Sequence, residues 1–184
     1  GVHILAEHDA DLAHVVDRFG LPPFWKRQPG FPSLVHIILE QQVSLASARA
    51  AFDRLLAAVS PLTPHTFLRL DDQDLHTIGF SRQKTSYVRG LALAIEAGDL
   101  DLSSLETLDD ASAYEQLLQQ KGIGPWTAGI YLLMALRRPD IWPVGDLALV
   151  SAVREVKQLD TRPNREVLTA IAENWRPWRA VAAR

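Results

Sequence analysis

Apolar residues recur at i, i+3, i+4 and i+7 along most of the chain, broken at short intervals by capping and stopping residues. Sustained alternation of period two is almost absent, so no stretch reads as a half-buried strand. A chain patterned this way buries one stripe per helix against other helices, and the expected fold class is all-α. At 184 residues it fits one globular domain or two closely joined halves.

The cap and stop residues place the helices. Asp9 or Asp11 opens a first helix with the face Leu12, Val15, Val16 and Phe19, stopped at Gly20. Ser33 opens a second, and Ser44 is a new start signal in the same apolar stretch, so a break is expected near Gln42-Val43-Ser44. Thr63-Pro64 starts a short helix, Asp71 or Asp72 a shorter one closed by Gly79, and Ser81 a long one stopped at Gly98. Asp109 or Asp110, Pro125, Asp146 and Asn164 begin the rest; the helix from Pro125 is expected to run to Arg138, and the last is broken by Pro177. About ten short helices follow from this reading.

Composition excludes several chemistries. With no cysteine there is no disulfide framework, no Cys-based zinc site, no Cys-ligated iron–sulfur cluster and no thiol nucleophile. Apolar runs such as 130–136 fall far short of the ~20 residues that span a bilayer, so a soluble, intracellular-type protein is expected, with no membrane partner. A net charge of −3 argues against gripping nucleic acid by bulk electrostatics, though local basic stretches (Arg82, Lys84, Arg89, Lys121, Arg137, Arg138) can line a backbone track or simply form polar helix faces. The six histidines are scattered; only His36 and Glu40 at i, i+4 are spaced to share a metal, and a zinc site needs three or four ligands.

Two segments carry candidate chemistry. In Gly122-Ile123-Gly124-Pro125-Trp126-Thr127-Ala128, two glycines allow a tight turn that presents successive N–H groups, and Pro125 suits the first helical position. A turn of that kind at a helix N-terminus is an anion site suited to phosphate, or else a plain helix–helix connection. In Trp142-Pro143-Val144-Gly145-Asp146, the aspartate stands at a helix start, where N–H donors and the helix dipole favour the anion. It can serve as an N-cap, as a carboxylate that stabilises a developing sugar cation or orients a water, or as both.

Together, Lys121-Gly122-Ile123-Gly124-Pro125-Trp126-Thr127-Ala128, a helix, and Pro143-Val144-Gly145-Asp146 resemble the helix-hairpin-helix, Gly/Pro-rich loop and aspartate (HhH-GPD) signature of the DNA glycosylase superfamily. Ile38-Leu39-Glu40-Gln41-Gln42-Val43-Ser44, Ile78-Gly79-Phe80-Ser81-Arg82-Gln83-Lys84 and Trp175-Arg176-Pro177-Trp178-Arg179 are most similar to the 3-methyladenine DNA glycosylase II branch, which excises alkylated purines. The resemblance runs from about Ser33 to the end of the chain. It implies the HhH-GPD fold: residues 33–138 as a helical barrel ending in the hairpin, and 1–32 with 139–184 as a second helical subdomain across an active-site cleft.

The resemblance also implies roles. Asp146 matches the catalytic aspartate. Gly122 and Gly124 match residues whose backbone N–H groups bind a DNA phosphate, with Thr127 as a helper. The carbonyls of Leu118, Gln120 and Ile123 fall where the hairpin holds a monovalent cation, a structural Na+ or K+, no cofactor being expected for catalysis itself. Trp126 takes the place of the Schiff-base lysine of bifunctional members, implying a monofunctional enzyme with no lyase step. Gln42 falls at the side chain inserted into the gap left by the flipped nucleotide, and Phe80 in the turn that wedges near the opposite strand, or in the core. Arg82 and Lys121 join the expected DNA-binding set.

The base pocket is expected from Trp126, Tyr131, Trp142 and Glu40, with Trp25 a further aromatic candidate; Glu40 has the alternative of pairing with His36 or an arginine. A cationic alkylpurine has a weakened glycosidic bond and gains about 0.5–2 kcal/mol over an indole face. The expected partner is double-stranded DNA carrying a damaged base, the expected state a monomer, and the expected location the cytoplasm, with the nucleoid. A glycosylase for a neutral lesion (oxidised guanine, hypoxanthine or uracil) and a non-catalytic helix-hairpin-helix DNA-binding module are the competing readings. The cysteine cluster of some relatives is absent, helical signals begin by Asp9 where some carry a β-rich domain, and only 179–184 follow Trp178, so a short final helix is expected.

Overall fold

The computed structural model describes residues 1–24 and 27–184, and among them every regular element is helical. The order is α1 (Val2–His8), α2 (Ala10–Phe19), α3 (Phe31–Glu40), α4 (Leu45–Ala58), α5 (Pro64–Leu68), α6 (Asp72–Ile78) and α7 (Arg82–Ala97). A 3-10 turn at Ser104–Glu106 follows, then α8 (Asp110–Leu118), α9 (Pro125–Met134), α10 (Leu147–Val156), α11 (Arg165–Glu173) and α12 (Arg179–Ala182).

The capping residues hold these boundaries. Asp9, Ser44, Thr63, Asp71, Ser81, Asp109, Asp146 and Asn164 each accept a backbone N–H of the helix they precede. Gly79 and Gly98 end α6 and α7 in the left-handed region. Three local details depart from the sequence reading. α1 precedes the first expected helix and has no capping side chain to announce it. α3 begins at Phe31, with Gly30 as its cap and Pro32 in the first turn, while the Ser33 hydroxyl donates back to the Gln28 carbonyl. α9 ends at Met134, short of Arg138: the N–H groups of Leu136 and Arg138 fold back onto Tyr131 and Leu132, and Arg137 takes a positive φ of 58°.

Two apolar clusters organise the chain. The larger gathers Leu34, Ile37 and Ile38 of α3, Leu55 of α4, Phe67, Leu75, Val88, Leu91, Leu117 and the buried face of α9 around α3, which packs on α4, α7 and α9. The smaller joins Leu5 of α1 with Val150 and Val153 of α10, Leu168 and Ala172 of α11, and Trp175. Burying a leucine- or isoleucine-sized side chain contributes about 1.5–3 kcal/mol, so both clusters are substantial local anchors.

A polar clamp fastens the amino-terminal pair to the smaller cluster. Lys157 Nζ lies 2.7 Å from both Asp9 carboxylate oxygens and 2.8 Å from Asp11, and the Trp175 indole donates to Asp9 at 2.7 Å. Burial pushes the Asp9 carboxyl up, but the Lys157 and Trp175 hydrogen bonds, the Leu12 N–H and the lysine charge together hold it below 3.8. A second clamp sets Asp140 against Arg179 and Arg176, which fixes the chain after Pro177 to the segment leaving α9.

Candidate active site

The α8–α9 connection is built by steric necessity. Gly122 has φ 91°, and a Cβ there would run into the Tyr87 ring on α7, so only glycine fits. Gly124 caps α9 in an extended conformation, and a Cβ there would meet nothing within 4 Å; the protein's own packing does not demand this glycine. Pro125 takes the first helical position and no side chain caps α9, which leaves the N–H groups of its first turn unclaimed by a cap. The turn has the donor geometry of an anion site.

Asp146 caps α10 with one carboxylate oxygen, accepting the Leu149 N–H at 2.9 Å. The other oxygen accepts the Trp126 indole N–H, also at 2.9 Å, across 20 residues of sequence. The two hydrogen bonds fix the carboxylate in both position and rotation. The close approach that allows them runs through Gly129, where a Cβ would sit 3.1 Å from the Pro143 backbone. Both residues line a cavity of about 570 Å³ whose walls are mostly apolar, including Trp142, Pro143, Leu149 and Leu168. Trp142 is held there by packing on Trp175, ring centroids 5.6 Å apart.

The remaining expected site residues are distributed differently. Tyr131 is fully buried in the larger cluster, and its hydroxyl accepts the Gly30 N–H at 2.8 Å; it has no face open to the cavity and is corrected to a core residue. Glu40 is also turned away: its carboxylate pairs with Arg27 at 2.6 Å and stands 3.6 Å from His36, the alternative reading of that side chain. Burial lowers the His36 pKa, against the pull of Glu40, and its ring stacks on Phe52. Phe80 is 3% exposed and tilted against Phe67, which corrects the wedge to the core alternative. Trp25 lies outside the described residues.

Gln42 is exposed at the α3–α4 turn with φ 57°, flanked by exposed Val43 and Leu45. Thr127 is only 2% exposed, and its hydroxyl accepts from the Gln41 side chain at 2.9 Å; the same amide donates to the Gly122 carbonyl at 2.8 Å. Thr127 therefore braces the hairpin from inside, and Gln41 ties it to the α3–α4 turn. Of the basic stretch, Arg82 and Lys121 are exposed. Lys84 donates to the Leu39 carbonyl, Arg89 to Leu70 and Asp72, and Arg138 to three carbonyls of 105–108, so these three serve the fold. Sequence reasoning missed Gln41's tie and two arginines at the cavity, Arg162 and Arg165, since neither belongs to a recognisable motif.

Among the described residues no group of three or more His, Asp or Glu side chains is arranged to hold a metal, and no helix is long and apolar enough to cross a membrane. Leu118, Gln120 and Ile123 stand at and beyond the end of α8, where the Gln120 carbonyl accepts the Ile123 N–H at 3.0 Å.

The architecture agrees with comparisons to known proteins. The family model described as HhH-GPD superfamily base excision DNA repair protein matches residues 35–177. YfjP of Bacillus subtilis is 30% identical over 192 residues, covering 94% of this chain and 67% of that protein. Among solved structures, a 3-methyladenine DNA glycosylase from Schizosaccharomyces pombe in complex with abasic DNA superposes with a TM-score of 0.89 at 26% identity, covering 97% of this chain and 90% of that one. A DNA-3-methyladenine glycosidase from Bacillus halodurans superposes at 0.81 with 30% identity, covering 98% and 83%. The chain belongs to the HhH-GPD superfamily of base excision DNA repair proteins.

Proposed function

We propose that this protein is a monofunctional DNA glycosylase that hydrolyses the N-glycosidic bond of alkylated purines in double-stranded DNA. The observation that carries the reading is the Trp126–Asp146 pair: a carboxylate held rigidly by an indole at the wall of an apolar cavity. As the bond between C1′ and the base nitrogen breaks, the base leaves with the electron pair and the sugar develops oxocarbenium character. Asp146 stabilises that charge and directs a water to C1′; the water's proton is released, and an abasic site remains. A cationic alkylpurine departs as a neutral base, so no general acid is needed. The few polar groups on the cavity wall favour such a base over a neutral lesion, which needs dedicated hydrogen-bonding partners.

Further parts of the reading rest on the same family membership. With a tryptophan at 126 there is no amine there to form a Schiff base, so the enzyme has no lyase step. Gly122 and Gly124 offer backbone N–H groups to a DNA phosphate, Gln42 enters the gap left by the flipped nucleotide, and Arg82 and Lys121 meet the backbone. The Leu118, Gln120 and Ile123 carbonyls are neutral oxygen donors of the kind that suit Na+ or K+, and they would hold such an ion beside that phosphate. Two helical subdomains, 33–138 and 1–32 with 139–184, flank the cleft, a division that the two apolar clusters support. The protein works as a monomer and acts where the DNA is, in the cytoplasm at the nucleoid.

Asp146→Asn tests the reading directly. Asparagine is as good an N-cap as aspartate, so the cap on α10 is retained while the negative charge, and with it the acceptor for the Trp126 indole N–H, is lost. The variant should bind methylated duplex with wild-type affinity and release 3-methyladenine or 7-methylguanine at least about 100-fold more slowly, the scale on which removing one transition-state stabiliser acts. Base release by the variant at the wild-type rate refutes the assignment.

A further inference from the structure

The cavity beside Asp146 has a second side, formed by the loop before α11 and its first turns. Arg162 and Arg165 line that side, and both are exposed. Most arginines of this protein are occupied: Arg27, Arg49, Arg89, Arg138, Arg176 and Arg179 pair with carboxylates. Arg54 and Arg154 donate to carbonyls, and Arg18 and Arg137 lie over phenylalanine rings. Among the described residues, Arg162 and Arg165 make no such contact. Two cations with no carboxylate partner therefore line a cleft in which Asp146, the one carboxylate among the described lining residues, accepts hydrogen bonds from Trp126 and Leu149.

Their position relative to the hairpin is also informative. Pro125 and Arg165 line the same cavity, and the Tyr114 hydroxyl donates to the Pro125 carbonyl at 3.3 Å. Arg165 lies close enough for its charge to oppose the upward push that burial exerts on the Tyr114 phenol. Arg165 thus shares its cavity with the turn whose backbone N–H groups lack a capping side chain, from a helix more than 30 residues further along the chain. Exposed, uncommitted guanidiniums are suited to bidentate contact with phosphate oxygens, and a protein with net charge −3 must place such groups locally.

We infer that Arg162 and Arg165 form a second phosphate-binding site, on the α11 side of the cavity next to the hairpin turn, that grips the backbone of the DNA strand carrying the flipped nucleotide. This rests on the glycosylase reading above and adds to it a charged contact beside the neutral one. The hairpin would fix one phosphate through neutral N–H groups, and the arginines would fix a neighbouring one through charge. The strand would then be held at two successive phosphates next to the nucleotide presented to Asp146.

The test is the salt dependence of binding to a duplex containing a stable abasic analogue, measured for the wild type, Arg162→Gln, Arg165→Gln, the double variant and Arg18→Gln. Arg18 is an exposed arginine on α2, off this cavity, and controls for loss of one charge. Each phosphate contact removed should lower the slope of log K against log salt by about 0.9 in magnitude. The double variant gives up that one phosphate and should therefore lose about one unit of slope and bind at least about tenfold more weakly at low salt, with Arg18→Gln unchanged. Arg165→Lys should restore the slope while recovering only part of the affinity, because the charge returns without the fork. An unchanged slope in the double variant, with melting temperature preserved, overturns the inference, and so does an equal loss in Arg18→Gln. Failure of the glycosylase reading is separate: it appears as a wild type that neither binds the duplex nor releases a methylated base.

Discussion

Asp146 performs two tasks with two oxygens. One completes the first turn of α10 and the other holds the Trp126 indole, so the residue proposed for the chemistry is also one that the fold needs. A cap contributes about 0.5–2 kcal/mol, and for that reason an Asn substitution, which keeps the cap, is the better probe than an Ala substitution, which loses it. Phe80 illustrates the opposite case, a residue whose motif position suggested DNA and whose environment is hydrocarbon. Truncation of a buried phenylalanine costs about 3–5 kcal/mol. Phe80→Ala should accordingly lower the urea midpoint sharply, while the fraction still folded binds duplex DNA with unaltered affinity; a loss of affinity at unchanged stability would return Phe80 to the wedge. Asp146 was legible in the sequence because a helix-start aspartate in register with a hairpin is a local pattern. Phe80, Tyr131 and Glu40 were not, since the direction of a side chain at a turn or on an apolar helix is decided by partners such as Phe67, Gly30 and Arg27 that lie far away in sequence.

At the scale of elements, cap and stop signals transferred almost directly into structure, from Asp9 through Asn164, because each acts within one helical turn. α1 and the 3-10 turn escaped detection: both are short, and neither has a capping side chain. The early end of α9 was equally hidden, since it depends on the backbone at Arg137 and on the anchoring of Arg138 by the carbonyls of 105–108. The hairpin itself depends on α7. Gly122→Ala would press a methyl group into the Tyr87 ring at a positive φ, and the turn would have to move. We expect that variant to lose affinity for abasic duplex by at least tenfold, the scale of about 1.4 kcal/mol. Pairing it with Tyr87→Ala, which clears the space, should recover part of the loss; no recovery would show that φ alone sets the requirement.

For the whole molecule, polar clamps as well as apolar packing fasten the amino-terminal helices and the segment leaving α9 to the carboxy-terminal elements. Although burial opposes them, Lys157 and Trp175 hold the Asp9 carboxyl below its ordinary value, and Arg179 and Arg176 do the same for Asp140. A carboxyl whose folded pKa is depressed contributes stability that is complete above its unfolded value of 3.8 and is lost as pH falls through the lower folded one. The urea midpoint should hold steady from neutrality down to about pH 5 and then fall as these groups protonate. In Asp9→Asn the plateau should be lower and the acid limb shallower; an acid limb parallel to wild type would remove Asp9 from the account. This long-range architecture was only partly legible, because the clamps join residues 9 and 157, or 140 and 179, that no local pattern connects. The tie made by Gln41 has a mechanical consequence. By joining the α3–α4 turn to the Gly122 carbonyl and Thr127, it couples the turn proposed to probe the helix to the turn proposed to grip its backbone. On that reading two coupled parts do not reshape themselves separately around their target, so the bending falls on the duplex, and a lesion that has already softened its own stretch of DNA is the one that yields first.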